Sequence, residues 1–422
     1  MFAIDGSANR REPKLMVMGG WAFIVATIFL GVQLPGSGIK LGNLLMLAGA
    51  YFAMACVLIS QSQERRFRYA LYGSDYVYLV YITWCLISTQ WSRSPIDTAV
   101  QTVYLASVWL ATLHLRDMTL GLALRLLVRS AALICVASFV LAGLLPEVGF
   151  QPHSTTGLPE LRGIFEHQQR LGLFCGMILG LLVIAWANDD IHRLFGWQRW
   201  SVIAVAFVIF LALVAAQARL YTAAFIISVA FTFGLSKPGL LRKLSLVSLA
   251  AFVGLAVLNT GYTMQVLDSI GTEGNTLSGR TTVWERSLEV AHTSPMRGHG
   301  YASFFSSHFD YVWGNYRAPN AHSSFIQAYF ETGIVGLSLT LLLIGVQIRE
   351  ALRVGRLSGK YSYSFFLILL AAASSATGVT YAGKPTILFS VLLLVLAIEN
   401  RQLGFQRGGK SFHRPPRQLG PV

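Results

Sequence analysis

SVIAVAFVIFLALVAA, residues 201–216, runs sixteen positions without a charge, and the chain repeats this kind of stretch from end to end. About twelve such runs can be marked, at 15–34, 41–60, 76–92, 98–115, 126–145, 169–188, 201–217, 220–235, 244–259, 324–347, 362–380 and 385–399, several long enough to cross ~30 Å of hydrocarbon as helix. Lipid satisfies no backbone polar group, so a segment that crosses it is a helix or part of a closed barrel. The runs lack the alternation of a barrel strand, so helices are expected. Hydrophobic residues make up 54% of the 422 and charged residues 12%, too little polar surface for a water-facing globule. The expected fold class is therefore all-α, polytopic in a membrane.

The net charge of +14 is distributed unevenly. Loops taken alternately along the chain place 23 of the 33 Lys and Arg on one side, including Arg65, Arg66, Arg116, Arg125, Arg349 and Arg353. By the positive-inside rule that side is cytoplasmic, with both termini inside. The charge is then a topology signal with some attraction for anionic membrane lipids, and gives no reason to expect nucleic acid as a partner. The first apolar run is full span length and lacks a clear cleavage site, so no cleavable signal peptide is expected. The C-terminal tail, 400–422, is rich in Gly, Pro and Arg and is expected to be disordered. Cys56, Cys85, Cys135 and Cys175 all fall in apolar runs and offer neither a disulfide framework nor a metal site.

Four parts follow: nine spans over 1–259 with a minor outer loop near 146–168, a large outer loop at 260–323, three spans over 324–399, and the basic tail. Loops of such length are usually functional or disordered. Six of the nine histidines, His153, His167, His292, His299, His308 and His322, fall in the two outer loops. Side chains able to move protons thus collect on the outside. The large loop also holds Phe309, Tyr311, Trp313 and Tyr316, apolar rings that can pack.

Arginines on the outer side run against the positive-inside bias, so each needs a reason. Arg219 sits in VAAQARLYTAAF between two apolar runs with almost no loop. It reads either as a cation snorkelling at a helix end or as a fixed charge in a cavity at the membrane surface. The segment LSGRTTVWERSLEVAHTSP reads as one amphipathic helix with capping-box spacing between Thr282 and Glu285 and a stop at Pro295, which puts Arg280 just before or in the first turn. A cation opposes the helix dipole at that end, and its presence suggests an anion held by backbone N–H groups and guanidinium together. Arg286, Arg297 and Arg317 add charge to the same loop, and Arg162 and Arg170 come from the smaller one. MRGHGYASFF, with Gly298 and Gly300 around His299, is first a turn and second a loop facing substrate.

APNAHSSFIQAYFETGIVG puts Asn320, His322, Ser323 and Ser324 at the mouth of a span. Asn320, Ser323 or Ser324 can cap the helix. A histidine at a helix N-terminus is biased toward its neutral form and can accept a proton as a general base does. It can equally be an interfacial anchor. Glu331 follows deeper in the span and needs a partner, for which Arg219 is a candidate. Gly333 and Gly336 allow close approach of another segment.

The set Gly279, Arg280, Trp284, Pro295, Gly298, Gly300, His322, Phe325, Glu331, Gly333 and Gly336, with Arg219 upstream, resembles the signature of the O-antigen ligase and polymerase superfamily. RGIFEHQQRLG, residues 162–172, is similar to a segment of rhizobial-type exopolysaccharide polymerases. Two departures stand out: Ser323 follows the histidine where Asn is common, and Ala218 precedes Arg219 where Ser is common. The resemblance implies a membrane glycosyltransferase of the bacterial inner membrane. It would move a glycan from undecaprenyl diphosphate to an acceptor sugar hydroxyl on the periplasmic face, inverting the anomeric centre and needing no metal or cofactor. Arg219, Arg280 and His322 would be catalytic, with Arg286, Arg162, His167, Trp284, His299 and Glu331 binding substrate. A polymerase is favoured over a ligase that transfers finished glycan to lipid A-core or protein. A flippase and a chain-length regulator are the implied partners. A transporter is the reading from a different class; it predicts two similar halves with broken helices in matching places, which the sequence does not display.

Overall fold

The computed structural model describes residues 14–29, 48–52, 54–56, 59, 71–152, 158–195, 199–236, 280–305, 318, 320–376, 378–381 and 385–411. Helix dominates, in the order α1 (Lys14–Phe29), α2 (Gly73–Ile87), α3 (Pro95–Leu115), α4 (Leu120–Leu144) and the single turn α5 (Pro146–Gly149). Then come α6 (Gln168–Ala187), the short α7 (Ile191–Phe195), α8 (Arg199–Ala215) and α9 (Arg219–Ser236). α10 (Arg280–Ala291), α11 (Ser324–Ser358), α12 (Tyr363–Ser375) and α13 (Ile387–Ser411) complete the set.

Local chemistry fixes several of the boundaries. Pro95 occupies the first turn of α3, where its missing N–H costs nothing. Thr119 and Ser362 cap α4 and α12 by accepting the N–H groups of Leu122 and Phe365. Gly359 ends α11 in the left-handed conformation at φ 69°.

α3, α4, α6 and α11 are each long and apolar enough to cross a membrane, and shorter apolar helices cover Val17–Thr27, Trp200–Ala215, Arg219–Leu235 and Tyr363–Ser375. The expected run at 244–259, the tail beyond 411 and most of the large loop lie outside the described residues. Three differences from the sequence reading are instructive. α11 runs on from the expected 324–347 to Ser358, and α13 continues to Ser411, into the stretch expected to be disordered. The minor outer loop contains a small hairpin, in which β1 (Phe150–Pro152) pairs antiparallel with β2 (Pro159–Leu161). Two of its six residues are proline, and strands of three residues are too short to show a period. All four cysteines are buried and free.

α11 is the organising helix, packed against α2, α10, α12 and α13. It is broken once. Gly333 has φ 65° and ψ −167°, a conformation that essentially glycine alone adopts. The turn after α10 enters at this break. The N–H groups of His299 and Gly300 bond the carbonyls of Phe330 and Glu331, and Ile334 N–H bonds the Pro295 carbonyl. The indole of Trp84 takes the Thr332 carbonyl at 3.0 Å. Backbone groups freed by the break are thereby satisfied within the protein, as apolar surroundings demand. A methyl at Gly298 would meet the Glu331 carbonyl at 2.5 Å, and one at Gly333 would meet the Met296 carbonyl oxygen at 2.3 Å. The glycines are there because two backbones touch.

Residues assigned by charge to one side of the membrane meet at one end of the bundle. Glu350 of α11 accepts from Ser74 of α2 and Asn400 of α13, Trp109 of α3 bonds Asp75, and Arg401 pairs with Asp117 at 2.8 Å. Beside them Glu399 accepts the N–H groups of Tyr363 and Ser364 at the start of α12, and Lys360 pairs with Asp190. Residues assigned to the other side meet at the opposite end, where Arg93 N–H bonds the His299 carbonyl and Thr98 bonds that of Tyr301.

Gly333→Ala should lower stability by about 3 kcal/mol or more, from backbone strain of ~1–3 kcal/mol plus the clash with Met296. Gly345 of the same helix has no atom within 4 Å of an added methyl, so Gly345→Ala should gain about 0.5–1 kcal/mol. Thermal unfolding of the two variants in detergent measures the contrast; equal shifts would show that the break carries no strain.

Candidate functional site

The candidate residues sit at the N-terminal ends of four helices. His167 is the N-cap of α6, Arg219 opens α9, Arg280 opens α10, and His322 immediately precedes Ser323, the N-cap of α11. Each such end carries the positive pole of its helix. Two arginines added to these poles make a region of positive potential suited to a polyanion.

Electrostatics show which of these ends meet. The His322 imidazole is held down from 6.5 to about 4, first by burial, then by the charge of Arg280 and by His167. His167 is itself lowered, by burial first and then by Arg170, with Arg162 adding to the effect and Glu166 opposing it. Arg280 and Arg170 both act on Tyr221 of α9. Arg280, His167, His322, Arg170 and Tyr221 are therefore one neighbourhood. Arg219 joins it through the backbone: Ala218, one residue earlier, packs so tightly on α6 that a methyl on Gly172 would reach its Cβ at 2.2 Å. The Arg219 side chain is exposed, and among the described residues no hydrogen bond or ion pair engages its guanidinium.

The two imidazoles are prepared differently. His167 Nδ1 accepts the Gln169 N–H at 3.2 Å, so the proton of the neutral ring resides on Nε2 and that atom is a donor. His322 has φ 49°, a left-handed conformation unusual for a non-glycine residue. Its N–H is held by the Asn320 side chain at 2.8 Å. The preceding amide, Ala321 N–H, is held by Gln327 Oε1 at 2.8 Å. On the far side, the Ser324 hydroxyl accepts the N–H groups of Thr380 and Tyr381 and donates to Ser375. Of the three caps expected for α11, Ser323 holds the position without a side-chain bond, while Asn320 and Ser324 bind the flanking loops.

The remaining residues divide by what they touch. Trp284 stands four residues after Arg280, on the same face of α10, and its buried indole N–H has no partner among the described residues. Arg162 donates to the carbonyls of Val148 and Glu147, pinning the hairpin while still reaching His167 electrostatically. Arg286 lies on the exposed side of α10 and pairs with Glu289 at 2.8 Å. The His299 ring is buried between helices, with Nε2 on the Val290 carbonyl at 2.8 Å and Phe330 at 5.1 Å, so it fastens α10 to α11. Glu331 does not take Arg219 as its partner: its carboxylate accepts from Gln327 at 2.5 Å and faces Tyr81, Cys85 and Tyr301. The sequence reading missed Tyr221 and Gln327. Tyr221 was visible as the aromatic two positions after Arg219; Gln327 had no signal beyond being a polar residue within a span.

Residues 204–341 match the sequence model of the O-antigen ligase family. That stretch contains Arg219, Arg280, Trp284, His322, Glu331 and Gly333. The chain is also similar to the exopolysaccharide production protein ExoQ of Rhizobium meliloti, at 32% identity over 113 residues. The similar stretch covers 24% of this chain and 26% of ExoQ. The chain thus resembles the O-antigen ligase and polymerase superfamily, through the stretch that carries both candidate arginines and the histidine of the site.

Proposed function

We propose that this protein is a membrane glycosyltransferase that extends a polysaccharide, taking glycan from undecaprenyl diphosphate and passing it to an acceptor sugar hydroxyl. The observation that carries this reading is the convergence of Arg280, His167 and a neutral, strained His322 at helix N-termini. An extended polyanion and a proton acceptor are what such a reaction needs side by side. The match to the O-antigen ligase family and the likeness to an exopolysaccharide production protein support it, and the second favours polymerase over ligase.

In this mechanism Arg219 and Arg280 clamp the diphosphate, with the positive poles of α9 and α10 behind them. His322 takes the acceptor O–H proton as that oxygen attacks the anomeric carbon. The bond from that carbon to the diphosphate oxygen breaks with its electron pair, leaving on the lipid diphosphate as an anion. Attack opposite the leaving group inverts the centre. Guanidinium groups and helix poles, fixed in place before the charge develops, stabilise the leaving group without a metal. Nε2–H of His167 and the indole of Trp284 supply donors to the sugars, and Tyr221 lines the same ground. Arg162 contributes by holding the hairpin behind His167, and His299 and Glu331 by shaping the support. Arg286, paired on the exposed face, contributes least.

The arrangement is read as lying on the periplasmic side of the inner membrane, with both termini cytoplasmic. The nine-span and three-span parts then flank the large outer loop. A flippase that delivers the lipid-linked donor and a regulator of chain length are the partners that this activity requires.

His322→Ala should abolish chain extension, leaving single repeats attached to lipid. If all attached glycan is lost and lipid-linked polymer accumulates, the protein is a ligase; an unchanged glycan profile overturns the transferase reading. Arg280→Gln should cut kcat by about 100- to 1000-fold, the scale for losing one transition-state donor, whereas Arg286→Gln should stay within about 0.5 kcal/mol of wild type. A histidine lowered to about 4 is neutral at every higher pH. The rate of the purified enzyme should therefore rise through pH 4 and stay flat to neutrality. Arg280→Gln removes a cation that suppresses protonation, so its limb should move upward; a limb at the ordinary histidine value in the wild type would remove His322 as the base.

A further inference from the structure

The first segment of α11, before the break at Gly333, buries an amide and a carboxylate side chain away from solvent. Gln327 is 0% exposed and Glu331 is 1% exposed. Burying an amide and a carboxylate in an apolar bundle is costly unless their hydrogen bonds are made. Here the amide bonds the carboxylate on one side and the histidine loop on the other. Gln327 Nε2 donates to Glu331 Oε1 at 2.5 Å, and Gln327 Oε1 accepts Ala321 N–H at 2.8 Å. The carboxylate can only accept, so it dictates which end of the Gln327 amide faces it. The other end, a carbonyl oxygen, is left for the one backbone N–H immediately before His322.

Glu331 is in turn fixed from behind. Its own carbonyl accepts Gly300 N–H, and the carbonyl before it accepts His299 N–H, in the crossing at the break. A continuous chain of contacts therefore runs from the crossing through Glu331 and Gln327 to Ala321 and His322. At its far end φ of His322 is 49°. Such a conformation costs of the order of 1–3 kcal/mol and persists only where neighbours over-determine it. Gln327 from below and Asn320 from above hold the two successive amides that do so.

We infer that Gln327 and Glu331 are positioning residues that hold the loop of His322, and so aim its imidazole, through the polarity of one buried amide. The inference rests on the reading of His322 as the base. It assigns Glu331, a deep carboxylate in the span, a place in the machinery without contact with substrate. It also explains why the chain breaks α11 two residues after Glu331: the crossing anchors the end of the relay remote from the histidine.

The test uses the purified full-length protein in detergent, with native lipid-linked repeat units as donor, and follows kcat, KM and thermal unfolding. Gln327→Met keeps volume and removes both bonds; kcat should fall by about 10- to 100-fold, with KM for the donor within about twofold. Gln327→Glu should also be defective, because it faces one carboxylate with another. The double swap Gln327→Glu with Glu331→Gln restores an acceptor for Ala321 N–H and a donor between the two side chains, so kcat should recover to within about fivefold. A folded Gln327→Met with wild-type kcat, or a double swap no better than Gln327→Glu alone, overturns the relay. If Gln327→Met does not fold, the comparison of Gln327→Glu with the swap decides. His322→Ala separates the two ideas: active, it overturns base and relay together; inactive beside an unimpaired Gln327→Met, it leaves the base standing and removes the relay.

Discussion

The crossing of two backbones at Gly333 is the constraint on which the rest of this end of the molecule depends. A helix that carried its hydrogen bonds unbroken through residue 333 would leave no place for the turn after α10. Without that turn α10 would have no fixed position, and Arg280 at its start would have no fixed relation to His322. The carbonyls of Phe330 and Glu331, turned outward by the break, are bonded by the N–H groups of His299 and Gly300. The buried His299 ring and Phe330 close the contact from the side. Backbone interactions of this kind tolerate no Cβ, which is why Gly298 and Gly333 each have positive φ and a carbonyl within 2.5 Å of where a methyl would stand.

Above this crossing the dominant physics is charge. Four helix poles and several guanidinium groups share one neighbourhood, where Glu166 pairs with Arg170 at 3.1 Å on the exposed rim and Glu160 accepts from Gln168. Positive charge gathered in this way favours a ligand of opposite sign. The same field has a second effect: added to burial, which is the larger cause, it keeps the His322 imidazole unprotonated. The positive field that suits an anionic ligand and the unprotonated resting form of His322 therefore share one arrangement of charge.

Much of this was legible in the sequence, for identifiable reasons. Long uncharged runs and misplaced arginines are one-dimensional signals, and they located the helices and Arg219 and Arg280. Capping chemistry placed the start of α11 at Ser324, whereas Thr282, the cap expected for α10, lies inside a helix that begins at Arg280. Partnerships were not legible. Glu331 had no local feature to say that Gln327, one turn earlier, was its partner and Arg219 was not. His299 looked like a site histidine because it lies in a glycine-rich outer loop; its burial under α11 depends on a fold the spacing does not encode. The hairpin at Phe150–Leu161 was hidden because three-residue strands have no measurable period.

The residues that carry the resemblance to the ligase and polymerase superfamily do two different kinds of work. Arg219, Arg280 and His322 have the functional groups a transfer reaction uses. Gly298, Gly300, Gly333 and Pro295 have none, and every one of them sits in the crossing. The pattern is then the linear trace of one three-dimensional requirement: a cation on one helix and an imidazole ahead of another must be brought together by a junction too tight for side chains. Glu331 belongs to both groups, its backbone in the junction and its carboxylate on the amide that leads to the histidine. A chain that kept the arginines and histidine but lost the glycines would retain the chemistry of the site and lose its geometry.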